Sequence, residues 1–137
     1  MTDDAGGNAG SQRRDPRALG VEGEERAARH LAARGYRIVD RNVRAGGVEI
    51  DLVVERAGVV VFVEVKTRRS TRHGVGELAV GGSKRQRLIR GALAWLREHE
   101  RRARRIRFDV IAWQVDDRDP QAAWKLTHYE GAFDASG

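Results

Sequence analysis

Apolar residues recur at helical spacing from Gly20 to Arg34, where Gly20, Ala27, Ala28 and Leu31 share one face at 100° per residue and Gly35 is placed to end the helix. "YRIVDRNVR" (Tyr36 to Arg44) reads as a first strand. "VEIDLVVE" (Val48 to Glu55) and "VVVFVEVK" (Val59 to Lys66) read as a second and third, rich in Val and Ile. The link between them, Glu55 to Gly58, is short enough for an antiparallel hairpin. Thr67 to Gly82 carries basic and glycine positions and reads as a loop. "SKRQ" (Ser83 to Gln86) fits a capping box that opens a helix to about Arg101, with Leu88, Ile89, Ala92, Trp95 and Leu96 on its buried face. "RIRFDVIAW" (Arg105 to Trp113) alternates as a strand. "WKLTHYE" (Trp124 to Glu130) offers one strand more, after a turn containing Pro120. The order α-β-β-β-α-β predicts a mixed α/β domain with helices against a central sheet.

Charges break this pattern in two places. Glu24 falls in the middle of the apolar face of the first helix, and Glu49, Asp51, Glu64 and Lys66 interrupt the hairpin. Strand alternation puts Glu49 and Asp51 on one side, and Glu64 and Lys66 on one side of the next strand. A turn centred between Arg56 and Ala57 would set Asp51 opposite Phe62 and Glu49 opposite Glu64. Asp51 and Glu64 are then diagonal neighbours, with Cα atoms about 7–8 Å apart. Carboxylates packed together cost stability unless a cation or a proton intervenes. An oxygen-only ligand pair with open positions suits Mg²⁺ or Mn²⁺. Lys66, on the same face, is placed to orient a water or neutralise a phosphoryl oxygen, which makes a site for metal-assisted phosphodiester hydrolysis.

The competing reading is a half-exposed sheet whose solvent face carries these charges. Two features favour the reaction centre. Val59 to Val65 is nearly all apolar, as in a strand covered on both sides, and Glu24 is an independent acid on a face that should be buried.

Composition narrows the partners. The chain has 137 residues, enough for one domain with its own core. We expect a flexible tail over residues 1–18, poor in groups to bury, and a single domain over 19–137. Its 26 Lys and Arg against 20 Asp and Glu give a net charge of +6, which favours polyanionic partners. The absence of cysteine excludes disulfides, zinc–thiolate sites and thiol catalysis. No run approaches the roughly 20 apolar residues of a membrane span. The first residues contain no apolar signal-peptide core, so a cytoplasmic protein is expected.

The basic charge is concentrated. Lys84 to Arg107 holds ten basic residues against two acids, with Arg87, Arg90, Arg97 and Arg101 on a stripe opposite the buried helix face. Arg68, Arg69 and Arg72 directly follow the charged strand. Guanidinium groups suit phosphate, so Arg68, Arg69, Arg72, Arg87, Arg90 and Arg97 are the expected nucleic-acid contacts, against the bland reading of a solvated helix exterior. Gln86 is explained by capping. Asp109 is expected to pair structurally with Arg107 or Arg41. His30, His73, His99 and His128 show no ligand spacing, and His99 is expected to pack. Trp95 is core, whereas Trp113 and Trp124 are open to core packing or base stacking.

The segments "GVEGE", "RGY", "RNVR", "EIDLV", "VFVEVKTR", "SKRQRL", "RFDV" and "EGAF", in this order from Gly20 to Phe133, resemble the YraN-like family of predicted bacterial endonucleases. These are similar to archaeal Holliday-junction resolvases within the restriction-endonuclease-like, PD-(D/E)xK, superfamily. The motif itself is Asp51 followed by Glu64-Val-Lys66, with Ile50 where the superfamily name has proline and Val48 where the family usually has glycine. The resemblance implies a restriction-endonuclease-like core, with a four-stranded mixed sheet flanked by helices and a divalent-metal site at Asp51 and Glu64. It implies Lys66 as catalytic lysine and Glu24 completing the metal's water shell. The expected activity is a Mg²⁺- or Mn²⁺-dependent endodeoxyribonuclease for structured or branched DNA in repair or recombination. Because resolution of branched DNA uses two sites, a homodimer is also expected. The alternatives are a non-catalytic DNA-binding or scaffolding protein that keeps the fold, and an RNA-processing enzyme.

Overall fold

The computed structural model describes residues 15–69, 82–101, 105–116, 118 and 123–133. Helix α1 (Pro16–Ala33) is followed by strands β1 (Arg37–Ala45), β2 (Val48–Arg56) and β3 (Val59–Arg69). Helix α2 (Gly82–Glu98), β4 (Arg105–Val115) and β5 (Trp124–Phe133) complete the order. The additional strand suggested by "WKLTHYE" is therefore present, and the sheet has five strands in the spatial order β1-β2-β3-β4-β5. β3 and β4, joined through α2, run parallel, and the other neighbouring pairs are antiparallel. That mixed arrangement follows from the links. Two-residue turns can only reverse a strand, whereas a helical crossover returns it in parallel.

Both hairpins of the β1–β3 meander close through two residues at positive φ. Gly46 and Gly47 have φ of 59° and 75°, and Ala57 and Gly58 have 54° and 81°. This is the backbone of type I′ turns, whose twist matches that of the flanking strands.

Element boundaries differ from the expected ones where helix-start chemistry was under-read. α1 opens at Pro16, four residues before Gly20, and so takes in part of the expected tail 1–18. Asp15 caps it, its Oδ1 accepting from the Arg17 N–H at 3.2 Å, and proline at the first helical position is pre-organised for the start. α2 opens at Gly82, so Ser83 lies inside the first turn and is not the cap. The segment expected as a loop from Thr67 begins as strand: Thr67 to Arg69 continue β3 beside Trp113 to Val115. Residues 70–81, with Arg72 and His73, lie outside the described residues.

One helix packs on each face of the sheet. Ala27, Ala28 and Leu31 of α1 meet Leu52, Val54, Val61, Val63, Ile111 and Trp113. On the other face Ala92 and Trp95 of α2 meet Val53, Val60, Phe62, Phe108, Val110 and Phe133. β3 is thus covered on both sides, which accounts for its unbroken apolar run from Val60 to Val63. Trp113 is core, its Nε1–H donating to the Gly23 carbonyl, and Trp124 packs edge-on against it. His99 is not buried as expected: it stacks on Trp95 at 4.2 Å while remaining exposed at the end of α2.

Asp109, 1% exposed, is the one buried charged residue among those described. Arg107 grips it through Nε (2.8 Å) and an Nη (2.9 Å), and its Oδ1 also accepts the Gly131 N–H at 3.0 Å. His128 Nε2 donates to Oδ2 at 2.8 Å. His128 Nδ1 in turn lies within hydrogen-bond distance of His30 Nε2, at 3.2 Å. Arg107 also donates to the Tyr36 hydroxyl at 2.6 Å, so the cluster ties α1, β4 and β5 together. The expected Asp109–Arg107 pair is present, and Arg41 pairs with Glu25 instead.

Candidate active site

The site forms where β2 and β3 part. Their ladder runs from Arg56↔Val59 to Leu52↔Val63 and ends there. Just beyond it come Asp51 on β2 and Glu64 on β3, and the Val65 N–H donates to Asp51 Oδ2 at 2.8 Å. Asp51 thereby takes the place of a ladder partner. The expected register, with Asp51 facing Phe62, is corrected by two residues. The physical reason is the turn: its positive-φ pair is Ala57-Gly58, so Arg56 and Val59 form the last pair and the hairpin is centred one residue later. Alternation also breaks here. Ile50 and Val53, three positions apart, both join the cluster under α2, with Asp51 between them.

Glu64 and Lys66 are held by the other edge of β3, where pairing with β4 continues through Glu64↔Val110 and Lys66↔Ala112. The Glu64 carboxylate is largely shielded, with 12% of its side chain exposed. Its Oε2 lies 3.4 Å from Lys66 Nζ and makes a closer ion pair with Lys84 from the first turn of α2.

Glu24 arrives from the opposite helix, and Gly23 is what permits it. A Cβ at position 23 would fall 2.0 Å from Thr67 Oγ1, so only glycine lets α1 approach β3 this closely. Burial raises the Glu24 pKa. A side-chain hydrogen bond with Asn42 lowers it, and the Glu49 charge adds to the rise. The charge that looked misplaced on a buried helix face therefore belongs to an acidic group shared by three elements.

Asp51 feels that group most strongly. Burial pushes its pKa up to about 7 against the pull of the Val65 hydrogen bond, with Glu24, Glu64 and Glu49 raising it further. Glu49, Asp51 and Glu64 form one wall of a cleft of about 270 Å³, and Lys84 and Arg87 of α2 form the other.

Of the expected site residues, Asp51, Glu64, Lys66 and Glu24 are brought together. Arg87 lines the cleft; Arg90 and Arg97 are exposed on α2 but do not. Arg68 is exposed at the end of β3, Arg69 is partly buried beside it, and Arg72 lies outside the described residues. Arg101, placed on the basic stripe, pairs with Glu55. Gln86 is exposed and does not line the cleft. Sequence reasoning missed Lys84 and Asn42 as members of the site. Lys84 was visible in "SKRQ", where the capping pattern explained its neighbours, and Asn42 stood in "RNVR", among the family-like segments, without a spacing that tied it to the acids.

The donor set tests the metal expectation. Among the described residues no three carboxylate or imidazole groups converge as a ready-made cage. Mg²⁺ and Mn²⁺ take one or two carboxylates and complete their shell with water and phosphate, and the Asp51–Glu64 pair fits that demand. The crowding of acids is itself a test. Folded Asp51 holds its proton to about 7, whereas in the unfolded chain it is released near its ordinary value of 3.8. The native state therefore binds more protons between those values, and metal-free protein loses stability as pH rises through that window. Fully expressed, the shift corresponds to about 4 kcal/mol, of which about 3 kcal/mol falls between pH 5 and pH 8. Urea denaturation in EDTA at pH 5 and pH 8 measures it. Asp51→Asn should flatten the difference, and Mn²⁺ should stabilise the wild type more at pH 8 than at pH 5. An identical pH dependence in the two proteins would refute the assignment.

No helix among the described residues is long and apolar enough to cross a membrane. The family model described as uncharacterised protein family UPF0102 matches residues 23–113. A UPF0102 protein of Trichlorobacter lovleyi is 42% identical over 118 residues, covering 85% of this chain and 91% of its own length. One from Anaeromyxobacter dehalogenans is 42% identical over 131 residues, 96% of this chain and 95% of its own. One from Frankia casuarinae is 46% identical over 116 residues, 85% and 96% respectively. With Glu24, Asp51, Glu64 and Lys66 all inside the matched segment, the chain belongs to the UPF0102, YraN-like, family.

Proposed function

We propose that this protein is a Mg²⁺- or Mn²⁺-dependent endodeoxyribonuclease built on a restriction-endonuclease-like core, acting on structured or branched DNA in repair or recombination. The observation that carries the reading is that Asp51 and Glu64 line one cleft just where the β2–β3 ladder ends, with Lys66 Nζ 3.4 Å from Glu64. Asp51 and Glu64 would hold the metal, which when bound acidifies water and polarises a phosphoryl oxygen. Lys66 positions the attacking water, and Glu24 accepts a hydrogen bond from water on the α1 side. Arg87 and Arg68 supply positive charge for the backbone that carries the scissile phosphate.

One observation favours the second reading, a non-catalytic DNA-binding scaffold: Lys84 gives Glu64 a counter-ion from within the chain. Cleavage of a labelled panel (linear duplex, flap, four-way junction, single strand and a matched RNA) with Mn²⁺, beside Asp51→Asn, separates the readings. Cutting of branched DNA by the wild type alone supports the nuclease, and sedimentation of the active species tests for the homodimer that two incisions call for. Binding without cutting by either protein favours the scaffold, and faster cutting of RNA rejects DNA as the substrate.

A further inference from the structure

Two ammonium groups claim a single oxygen of Glu64. Lys66 Nζ lies 3.4 Å from Oε2, and Lys84 Nζ pairs with the same atom. The two are not equally free to leave it. Lys66 is 17% exposed and issues from a paired strand, whereas Lys84 is 43% exposed and issues from the first turn of α2. Its four-carbon stem carries a compact, rotatable charge. Arg87, three residues on, shares the helix face and lines the same cleft opposite Glu49, Asp51 and Glu64. The cleft thus has an acidic wall and a basic wall, as binding a phosphodiester together with a divalent cation requires.

We propose that Lys84 is a phosphate-binding residue held in reserve: it neutralises Glu64 in the metal-free protein and turns to a non-bridging phosphate oxygen, beside Arg87, once a divalent cation takes Glu64. The proposal rests on the nuclease reading of Asp51 and Glu64. It gives the Lys84–Glu64 pair a function in that reading: the residue that suppresses charge repulsion in the resting site becomes part of the substrate seat. Metal and nucleic-acid backbone then bind cooperatively, because the cation releases the group that holds the phosphate.

The test uses the full chain as wild type, Lys84→Met, Lys84→Arg and Asp51→Asn. Free Mn²⁺ is measured by electron paramagnetic resonance in titrations without DNA. Removing the competing charge should tighten Mn²⁺ binding by Lys84→Met about tenfold, while Lys84→Arg stays near the wild type. In non-catalytic Ca²⁺, Lys84→Met should bind a four-way junction more weakly, with a salt slope shallower by about one phosphate contact. Mn²⁺ affinity unchanged or weakened in Lys84→Met overturns the counter-ion role, and an unchanged salt slope overturns the move to phosphate. If the wild type binds Mn²⁺ and Asp51→Asn does not, either result defeats this proposal alone. If no variant binds Mn²⁺ at all, the metal-dependent reading falls and takes the proposal with it.

Discussion

If the proposed nuclease reading holds, Lys66→Ala should lower strand cleavage by about 10²–10³-fold, the typical cost of removing one pre-positioned electrostatic group from a reaction centre, and should leave DNA affinity close to that of the wild type. The dissociation of the two effects follows from position. Lys66 is 17% exposed and directed to Glu64, so it contributes little to the outer electrostatic footprint that governs affinity. Arg87, Arg90 and Arg97, the contacts proposed on α2, are exposed there and untouched by the substitution. The alanine variant also leaves Glu64 with Lys84 as its counter-ion, so the acid is not stranded and the fold is retained. Single-turnover cleavage of the preferred junction in Mn²⁺, with affinity measured in parallel in Ca²⁺, reads both quantities. Cleavage at the wild-type rate would defeat the assignment of Lys66. A parallel loss of affinity and rate would make it a binding residue.

Asp109→Ala gives the largest effect on stability, a loss of about 3–5 kcal/mol. Such a loss is a large share of the roughly 5–15 kcal/mol typical of a whole domain. Asp109 accepts from Arg107 twice, from His128 and from the Gly131 N–H, so removing the carboxylate strands a guanidinium, an imidazole and a backbone donor together. Burial alone would raise the Asp109 pKa, but His128, Arg107 and Gly131 outweigh it and hold the carboxyl below its ordinary value. A depressed acid contributes stability above its unfolded pKa and loses it as pH falls through the folded one. The gap between the wild type and Asp109→Ala should therefore narrow as pH falls below 3.8. Urea denaturation at pH 7 and pH 3 checks this, and a loss below about 1 kcal/mol at pH 7 would show that the cluster carries little. Asp109 does not line the cleft, so on the nuclease reading cleavage by the folded fraction should be retained.

The limits of reading this chain from its sequence show at particular residues. Strands β2 and β3 were legible because β-branched runs of that length, bounded by Gly-containing turns, have few alternatives. The pairing of Asp51 with Glu64 was legible only to within two residues. Register depends on which two turn residues accept positive φ, and Ala57 gave no hint that it would. Glu24 could be singled out as an acid on an apolar helix face. Its neighbours, Asn42 and Glu49, required knowing that Gly23 presses α1 against Thr67. Asp15-Pro16 was a readable helix start that the Gly-rich composition before it obscured.

By itself the sequence determined the element order, the two-sided burial of β3 and the basic character of α2, and it singled out Glu24, Asp51, Glu64 and Lys66 as charges out of place in an apolar pattern. Those properties are written in local periodicity and residue type. The tertiary structure alone decided that Lys84 crosses to Glu64, that His30 and His128 join Asp109, and that the β2–β3 ladder opens at Asp51. Each of these joins residues from elements far apart in the chain. No spacing rule encodes such contacts, because their distances are set by how closely two helices can pack on a twisted sheet.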